Sequence, residues 1–154
     1  MKQHFDRIKI TFISFVSQGI SPQKLSLAIA FGIFIGIIPF LGVTTFLCTV
    51  FALAFQLNMP IIQAVHYLFS PLQFLLYIPF MKAGAWLAGI PFHYTLPEIK
   101  ELFSQDFFGT VMFFLEINIY AVLFWLLASP FLFGLPYFVS LFVTKRIESK
   151  KAKI

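Results

Sequence analysis

The sequence predicts an all-α, polytopic integral membrane protein, built from short helices that proline and glycine break, or from re-entrant hairpins. Composition is the first reason: of 154 residues, 60% are hydrophobic, 11% are charged and 23 are Phe. The second reason is that Asp, Glu, Lys and Arg are absent from Leu25 to Met81. A soluble domain of this size could not bury so much apolar surface in one core. Ordinary soluble enzymes, disordered tails and secreted disulfide scaffolds are therefore excluded.

Positive charge is concentrated towards the two ends of the sequence. Eight of the eleven Lys and Arg residues lie within 1–9 and 145–153. Because cytoplasmic flanks of membrane helices carry an excess of Lys and Arg, both termini are predicted to be cytoplasmic, with an even number of full crossings. Basic flanks also attract anionic lipid headgroups. A nucleic-acid partner is not expected.

Residues 1–20 are predicted to form an amphipathic helix in the membrane interface. The apolar face consists of Phe5, Ile8, Phe12, Phe15 and Val16, which recur at helical spacing. A basic, aromatic amphipathic helix next to a membrane domain is typical of an interfacial anchor. The alternative is a cytosolic helix packed on the protein's own loops.

Residues 21–90 are predicted to form a membrane core of two broken helical hairpins, 24–57 and 60–90. Proline removes a helix hydrogen bond, and glycine permits tight turns. The predicted breaks fall at Pro39 with Gly42, at Asn58 with Pro60, and at Ser70 with Pro71. Such breaks persist at membrane depth only where they are buried in protein or line a wet cavity. The alternative is that each arm of the first hairpin crosses a locally thinned bilayer.

Three further segments follow this core. Residues 91–106 are predicted to be an amphipathic surface loop or helix, because Thr95 and Glu98 have the spacing of a capping box. Residues 107–144 are predicted to hold one or two transmembrane helices. Residues 145–154 form a basic cytoplasmic tail.

The order of these breaks resembles a known family. The segments SPQKLSLAIAFGIFIGIIPFLGVTTFLCTVFALAFQLNMP and FSPLQFLLYIPFMKAGAWLAG are similar to the bacterial membrane protein family called domain of unknown function 2062, over about residues 20–90. The positions that carry the resemblance are Ser21, Pro22, Gly32, Gly36, Pro39, Gly42, Asn58, Pro60 and Pro71. The resemblance implies a bacterial inner-membrane protein connected with lipid or envelope-glycan metabolism, and it implies no catalytic residue. The chain departs from many members at Thr44, Gln56 and Ser70.

Small residues repeat every four positions in the first apolar segment, at Ala28, Gly32 and Gly36. This spacing lets two helix backbones approach closely. Packing within one chain is the first interpretation, and the seam of a homodimer is the second.

Polar residues form one stripe in the second apolar segment. Its members are Gln63, His66, Ser70, Gln73 and Tyr77, at steps of three and four. Polar side chains in hydrocarbon are costly and face protein or water. The stripe therefore predicts either hydrogen bonds between helices or a polar cleft that binds a headgroup, a sugar phosphate or an ion.

Lys82 and Glu116 are ionisable residues inside otherwise apolar segments. An ionisable residue within a membrane segment is by default a candidate for a functional site. The two charges are opposite and are predicted either to pair or, for Lys82, to extend to the interface. In a cleft, Lys82 would attract phosphate.

The sequence holds no P-loop, dinucleotide fingerprint, zinc-protease motif or nucleophile elbow. No catalytic residue, metal or cofactor is predicted. The leading prediction is a non-enzymatic module that binds or translocates lipid or lipid-linked envelope precursors, with membrane lipids as partners and a homo-oligomer as a further expectation. The alternative is a membrane scaffold for an envelope-biosynthesis enzyme such as a glycosyltransferase. An intramembrane enzyme that uses His66 as a base is the third hypothesis.

Overall fold

The computed structural model describes residues 20–40 and 42–151. The amphipathic helix predicted over 1–20 therefore lies almost wholly outside the described residues. Within them the fold is all-helical, with six helices and no strand. The helices are α1 Pro22–Gly36, α2 Thr44–Ala54, α3 Met59–Ala88, α4 Leu96–Gln105, α5 Phe107–Leu127 and α6 Ser129–Lys151.

Three helices begin where a polar side chain caps the first turn. Ser21 accepts a hydrogen bond from the backbone N–H of Lys24, and Asn58 accepts one from Ile61. Asp106 caps α5 in the same way. These caps satisfy N–H groups that have no partner inside the helix. At the other end of α3, Gly89 has a φ of +70°, the left-handed conformation that commonly ends a helix.

The first predicted hairpin is present. Helices α1 and α2 are separated at Pro39 and at Gly42, where φ is +90°. The next break, at Asn58 with Pro60, separates α2 from α3. Both breaks are therefore confirmed.

The break predicted at Ser70 and Pro71 is wrong, and so is the second hairpin predicted over 60–90. Helix α3 continues through Pro71 and through Pro79 for 30 residues. Each proline removes one backbone hydrogen bond, but membrane-type helices tolerate this where neighbouring groups satisfy the freed carbonyls. The hydroxyl of Ser70 donates to the carbonyl oxygen of His66 at 3.0 Å, one residue before the carbonyl of Tyr67 that Pro71 leaves without its helix donor.

Helices α1 and α3 run parallel to each other. Gly32 faces Val65, and four residues later Gly36 faces Phe69. Because the residue numbers of the contacting pairs rise together, the two helices are parallel, and the first half of α3 lies alongside α1.

Helices α5 and α6 run back along this pair. Phe80 of α3 meets Phe124 of α5 at 6.4 Å between ring centroids. Further along α3, Gly84 faces Ala121, so the numbers rise in one helix as they fall in the other. The contact of α5 is therefore with the second half of α3.

Helix α6 packs antiparallel on α1. The rings of Phe31 and Phe133 lie 4.7 Å apart, and the hydroxyls of Ser26 and Thr144 lie 3.2 Å apart. The start of α1 and the second half of α6 therefore lie side by side.

Two helices, α3 and α5, are long and apolar enough to cross a membrane, and α1 and α2 are shorter apolar helices. Only 22% and 28% of the most apolar windows of α3 and α5 are buried, whereas a core helix of a soluble protein is mostly buried. The all-α class is confirmed, and two membrane crossings are compatible with the helix lengths. The complete multi-pass topology stays a prediction.

Candidate functional site

The first part of the turn between α1 and α2, Ile37 to Pro39, is buried, and two amide side chains hold carbonyl oxygens of the turn. Gln73 Nε2 donates to the oxygen of Ile38 at 2.7 Å, and lies 3.5 Å from that of Phe40. Asn118 Nδ2 donates to the oxygen of Pro39 at 2.8 Å. A helix end leaves carbonyls without internal partners, and leaving them unpaired in the interior costs free energy. These two amides, here called the carbonyl clamp, allow the break to remain buried.

The clamp has a supporting side chain in α3. The Nδ2 atom of Asn118 lies 3.2 Å from Tyr77 Oη and 3.6 Å from Met81 Sδ. Two members of the predicted stripe, Gln73 and Tyr77, therefore meet at the turn together with Asn118, which the sequence interpretation did not select. Asn118 could have been selected from the sequence, because it is the one amide in the apolar sequence of α5.

Two other stripe members, Gln63 and Ser70, also form hydrogen bonds with the backbone of the chain. Gln63 Nε2 donates to the oxygen of Thr45 in the first turn of α2, at 3.4 Å. Ser70 donates within α3, as described above. Of the two interpretations of the stripe, these contacts favour hydrogen bonding between helices.

His66 and Gln63 each keep one buried polar atom without a protein partner among the described residues: Nδ1 and Oε1 respectively. The His66 side chain is only 2% exposed and lies against the end of α1, with Nδ1 3.5 Å from where a Cβ on Gly36 would be. Buried polar atoms in native proteins are nearly always paired with protein or ordered water. Both atoms can accept a hydrogen bond from water or from a small polar group.

The small residues of α1 pack within the chain. Ala28 is fully buried. A Cβ on Gly32 would lie 2.8 Å from Val65, and one on Gly36 would lie 3.3 Å from the oxygen of His66. The first interpretation of this spacing, packing inside one chain, therefore describes the contact with α3.

A second close helix crossing lies at Gly84, which the sequence analysis did not select. A Cβ on Gly84 of α3 would lie 2.7 Å from Ala121 Cα and 2.9 Å from the oxygen of Ile117 in α5. The backbones of α3 and α5 touch here. The sequence did hold a signal for it, because Ala88 follows Gly84 at the same four-residue spacing of small residues as in α1.

Lys82 and Glu116 are not part of the carbonyl clamp, and both are exposed. Glu116 follows Phe114, whose ring meets Phe92 at 6.4 Å just beyond the end of α3. Glu116 is thus level with the last turn of α3 rather than with its middle.

An open cleft lies between α4 and the loop that precedes it, with polar side chains around a surface that is mostly apolar. Its volume is about 410 Å³. Its lining residues are Pro91, His93, Tyr94, Glu98, Glu101, Leu102 and Gln105. A second depression of about 320 Å³ shares Tyr94, Leu102 and Gln105 and continues towards the start of α5. Ligand sites for small molecules span roughly 300–1,000 Å³.

Aromatic side chains lie beneath this cleft. The ring of Tyr94 meets Phe113 at 5.6 Å and Phe92 at 5.9 Å, both edge-to-face. Edge-to-face aromatic packing is a favoured arrangement that fixes ring orientation. Tyr94 is thereby positioned at the cleft by apolar contacts with α5 and with its own loop.

Helix α4 begins with the predicted capping interaction. The Glu98 carboxylate accepts hydrogen bonds from the backbone N–H of Thr95 at 2.7 Å and from its hydroxyl at 2.8 Å. These two bonds lower the pKa of the Glu98 carboxyl below its ordinary value, because they favour the ionised form. The cleft therefore carries a fixed negative charge at this end of α4.

Comparison with protein-family models identifies the family of the chain. A family model described as an uncharacterized protein conserved in bacteria, DUF2062, matches residues 7–153. The chain belongs to this family. Searches of the curated proteins and of the solved structures found no match.

The family match is longer than the resemblance noted from the sequence, which covered about residues 20–90. It includes α4, α5 and α6, and with them Asn118 and the cleft. The second half of the chain is therefore part of the DUF2062 unit and not an appended segment.

Proposed function

We propose that this DUF2062 protein is a multi-pass inner-membrane module, without a catalytic role, that binds the headgroup of a lipid or lipid-linked envelope precursor in the cleft beside α4. The observation that carries the proposal is the position of this cleft. The second depression, which continues from it, reaches the first turns of α5, one of the two helices long and apolar enough to cross a membrane.

Exposed apolar side chains support embedding in a bilayer. Large apolar residues more than half exposed include Phe46 on α2, Leu68 and Trp86 on α3, Phe108 on α5, and Phe138 on α6. Soluble monomers rarely expose contiguous apolar patches of more than a few hundred Å². These exposed apolar faces are suited to contact with the acyl chains of lipids.

The charges at the two ends of the molecule support an orientation. Lys24 at the start of α1 and Lys145 and Arg146 on α6 are exposed at the end where these helices meet. Helix α4 follows the opposite end of α3 and carries Glu98 and Glu101. By the preference for positive charge on the cytoplasmic side, the basic end is cytoplasmic and the cleft faces the other side.

The chemistry of the cleft favours a particular ligand class. Carboxylates and the amide oxygen of Gln105 accept hydrogen bonds, and Tyr94 adds an aromatic face. Sugar hydroxyls and amino groups donate hydrogen bonds, whereas phosphate would be repelled by Glu98 and Glu101. We therefore propose a hydroxyl-rich or amine-bearing headgroup.

The carbonyl clamp has a supporting role in this proposal. Gln73, Tyr77 and Asn118 are engaged with the turn and with one another. We assign them to fixing the α1–α2 hairpin against α3 and α5. This assignment replaces the earlier expectation that Gln73 binds the headgroup.

The proposal is tested by native mass spectrometry of the full chain extracted gently from a bacterial inner membrane. We expect a retained lipid or lipid-linked sugar, and we expect the double variant Tyr94→Ala with Gln105→Ala to lose it. The matched control is Ser104→Ala, an exposed α4 position outside the cleft lining. Thermal unfolding of each variant separates lost binding from lost folding.

Two outcomes would contradict the proposal. Retention of the same lipid by the folded double variant would remove the cleft from the site. A wild-type protein that carries no specific lipid but co-purifies with an envelope-biosynthesis enzyme would favour the scaffold hypothesis instead.

A further inference from the structure

One face of α6 is apolar, exposed and ends in positive charge. Its exposed members are Phe131, Leu135, Phe138, Val139, Phe142 and Val143, at helical steps of three and four. Arg146 is the next position on the same face, and it is exposed as well. Residues at such steps lie one above another along a helix.

The opposite face of α6 holds the fold together. Ser140 donates to the backbone oxygen of Ser26 at 3.5 Å, and Thr144 meets the Ser26 hydroxyl. Phe133 packs against Phe31. The outer face is therefore left without a helix partner among the described residues.

The basic end of this outer face has a defined geometry. The guanidinium carbon of Arg146 lies 5.4 Å from the centroid of the Phe142 ring, within the range of a cation–π interaction. A shallow cavity of about 250 Å³ is lined by Phe142, Val143, Arg146 and Ile147. Three of its four lining residues are apolar and the fourth is a permanent cation.

We infer that the outer face of α6 binds an anionic phospholipid. Its acyl chain lies along the apolar face, and its phosphate lies at Arg146, with Lys145 beside it. Arginine binds phosphate oxygens in pairs through its planar fork of donors, and the guanidinium is charged at every physiological pH. The acidic residue nearest in sequence, Glu148, is two positions further on, which turns it about 200° away around the helix.

Charge complementarity selects this occupant over a second protein chain. A face that is apolar along its length and cationic only at one end matches a lipid, which is apolar along its chains and anionic only at its headgroup. The inference rests on the membrane embedding in the proposed function, but it uses neither the cleft nor its ligand.

The test measures phosphatidylglycerol binding to the full chain in nanodiscs of phosphatidylcholine, with the fraction of phosphatidylglycerol increased stepwise. Each basic residue near a membrane surface contributes about 1 kcal/mol of attraction to anionic lipid. Arg146→Gln with Lys145→Gln is therefore expected to weaken binding roughly 30-fold. Phe142→Ala is expected to weaken it without changing the net charge.

The matched control is Lys82→Gln with Lys100→Gln, which removes two exposed cations from other helices. We expect it to leave phosphatidylglycerol binding almost unchanged. An equal loss in both double variants would mean attraction by overall charge alone and would overturn the inference. Displacement of the lipid by millimolar inorganic phosphate would also overturn it, because the site would then recognise free phosphate.

The two proposals fail in different ways. A wild-type chain that does not enter the nanodisc contradicts membrane embedding, and with it the proposed function. A chain that inserts but binds phosphatidylglycerol no better than phosphatidylcholine contradicts only the assignment of α6.

Discussion

The Nδ2 atom of Asn118 lies 2.8 Å from the carbonyl oxygen of Pro39, so a side chain of α5 completes the turn that ends α1. The two residues are 79 positions apart in the sequence. The position of α5 and the shape of the first hairpin therefore depend on each other.

Asn118→Leu is expected to lower the free energy of unfolding by about 1–3 kcal/mol, because it leaves a buried carbonyl without a donor. Reversible unfolding in mixed detergent micelles, followed by tryptophan fluorescence, measures this change. The control is Ile119→Ala, at an exposed position next to it on α5. Equal stability of the Leu variant and the wild type would show that the hydrogen bond to Pro39 contributes nothing net.

Gly84→Ala is expected to separate α3 from α5, because the new Cβ would lie 2.7 Å from Ala121 Cα. Overpacking of this kind typically costs about 1–3 kcal/mol. A lowered midpoint of thermal unfolding in detergent would report it.

Gly134→Ala on α6 provides the contrast, since nothing lies within 4 Å of its added Cβ. Alanine is a better helix former than glycine, by about 1 kcal/mol in a helix interior. The Gly134 variant is therefore expected to equal or exceed the wild type in stability. If both variants behaved alike, the close crossing at Gly84 would be contradicted.

His66→Phe is expected to leave stability unchanged or to raise it slightly. The Nδ1 atom has no partner among the described residues, and replacing an unpaired buried polar group by an apolar ring removes a desolvation cost. The midpoint of thermal unfolding of His66→Phe is compared with that of Gln73→Leu, which removes the 2.7 Å hydrogen bond to Ile38. A large loss for His66→Phe but not for the smaller His66→Leu would indicate overpacking by the ring, and a large loss in both would indicate a bound water or ligand on this side chain.

Acid is expected to loosen the start of α4. Because the pKa of Glu98 is lowered in the fold, its contribution is complete above the pKa of the unfolded chain. The contribution is then lost as the pH falls through the lower pKa of the folded state. Hydrogen exchange at the Thr95 amide, which donates to this carboxylate, should speed up over that range once corrected for the intrinsic pH dependence.

Glu98→Gln should abolish this pH dependence, while Glu101→Gln, which removes a carboxylate one turn later on α4, should retain it. A Thr95 amide that showed the same acid response in both variants would contradict the role assigned to Glu98.

Local chemistry made the ends of several helices predictable from the sequence. Pro39 with Gly42, Asn58 with Pro60, and Thr95 with Glu98 each act within a few residues, and each marks a boundary that the structure contains. Pro71 was misread because a proline signals a lost hydrogen bond, not a lost helix. Whether the helix continues depends on what satisfies and packs around it, which is tertiary information.

The carbonyl clamp was likewise predictable only in part from the sequence. Periodicity found Gln73 and Tyr77, since both lie on one face of α3. It could not find their common target, because the carbonyls of residues 38–40 are backbone groups and carry no sequence signature. The cleft was missed for a related reason: it is formed by a loop and a short helix whose relative position is set by aromatic contacts with α5.

The two prolines inside α3 give this helix a mechanical property. Pro71 cannot donate to the carbonyl of Tyr67, nor Pro79 to that of Leu75, so the backbone between them is softer than an ordinary helix. The half before this stretch packs on α1 and the half after it packs on α5. Asn118 joins α5 to the α1–α2 turn and to Tyr77 within this stretch, so the carbonyl clamp restrains the part of α3 whose own backbone hydrogen bonding is weakest.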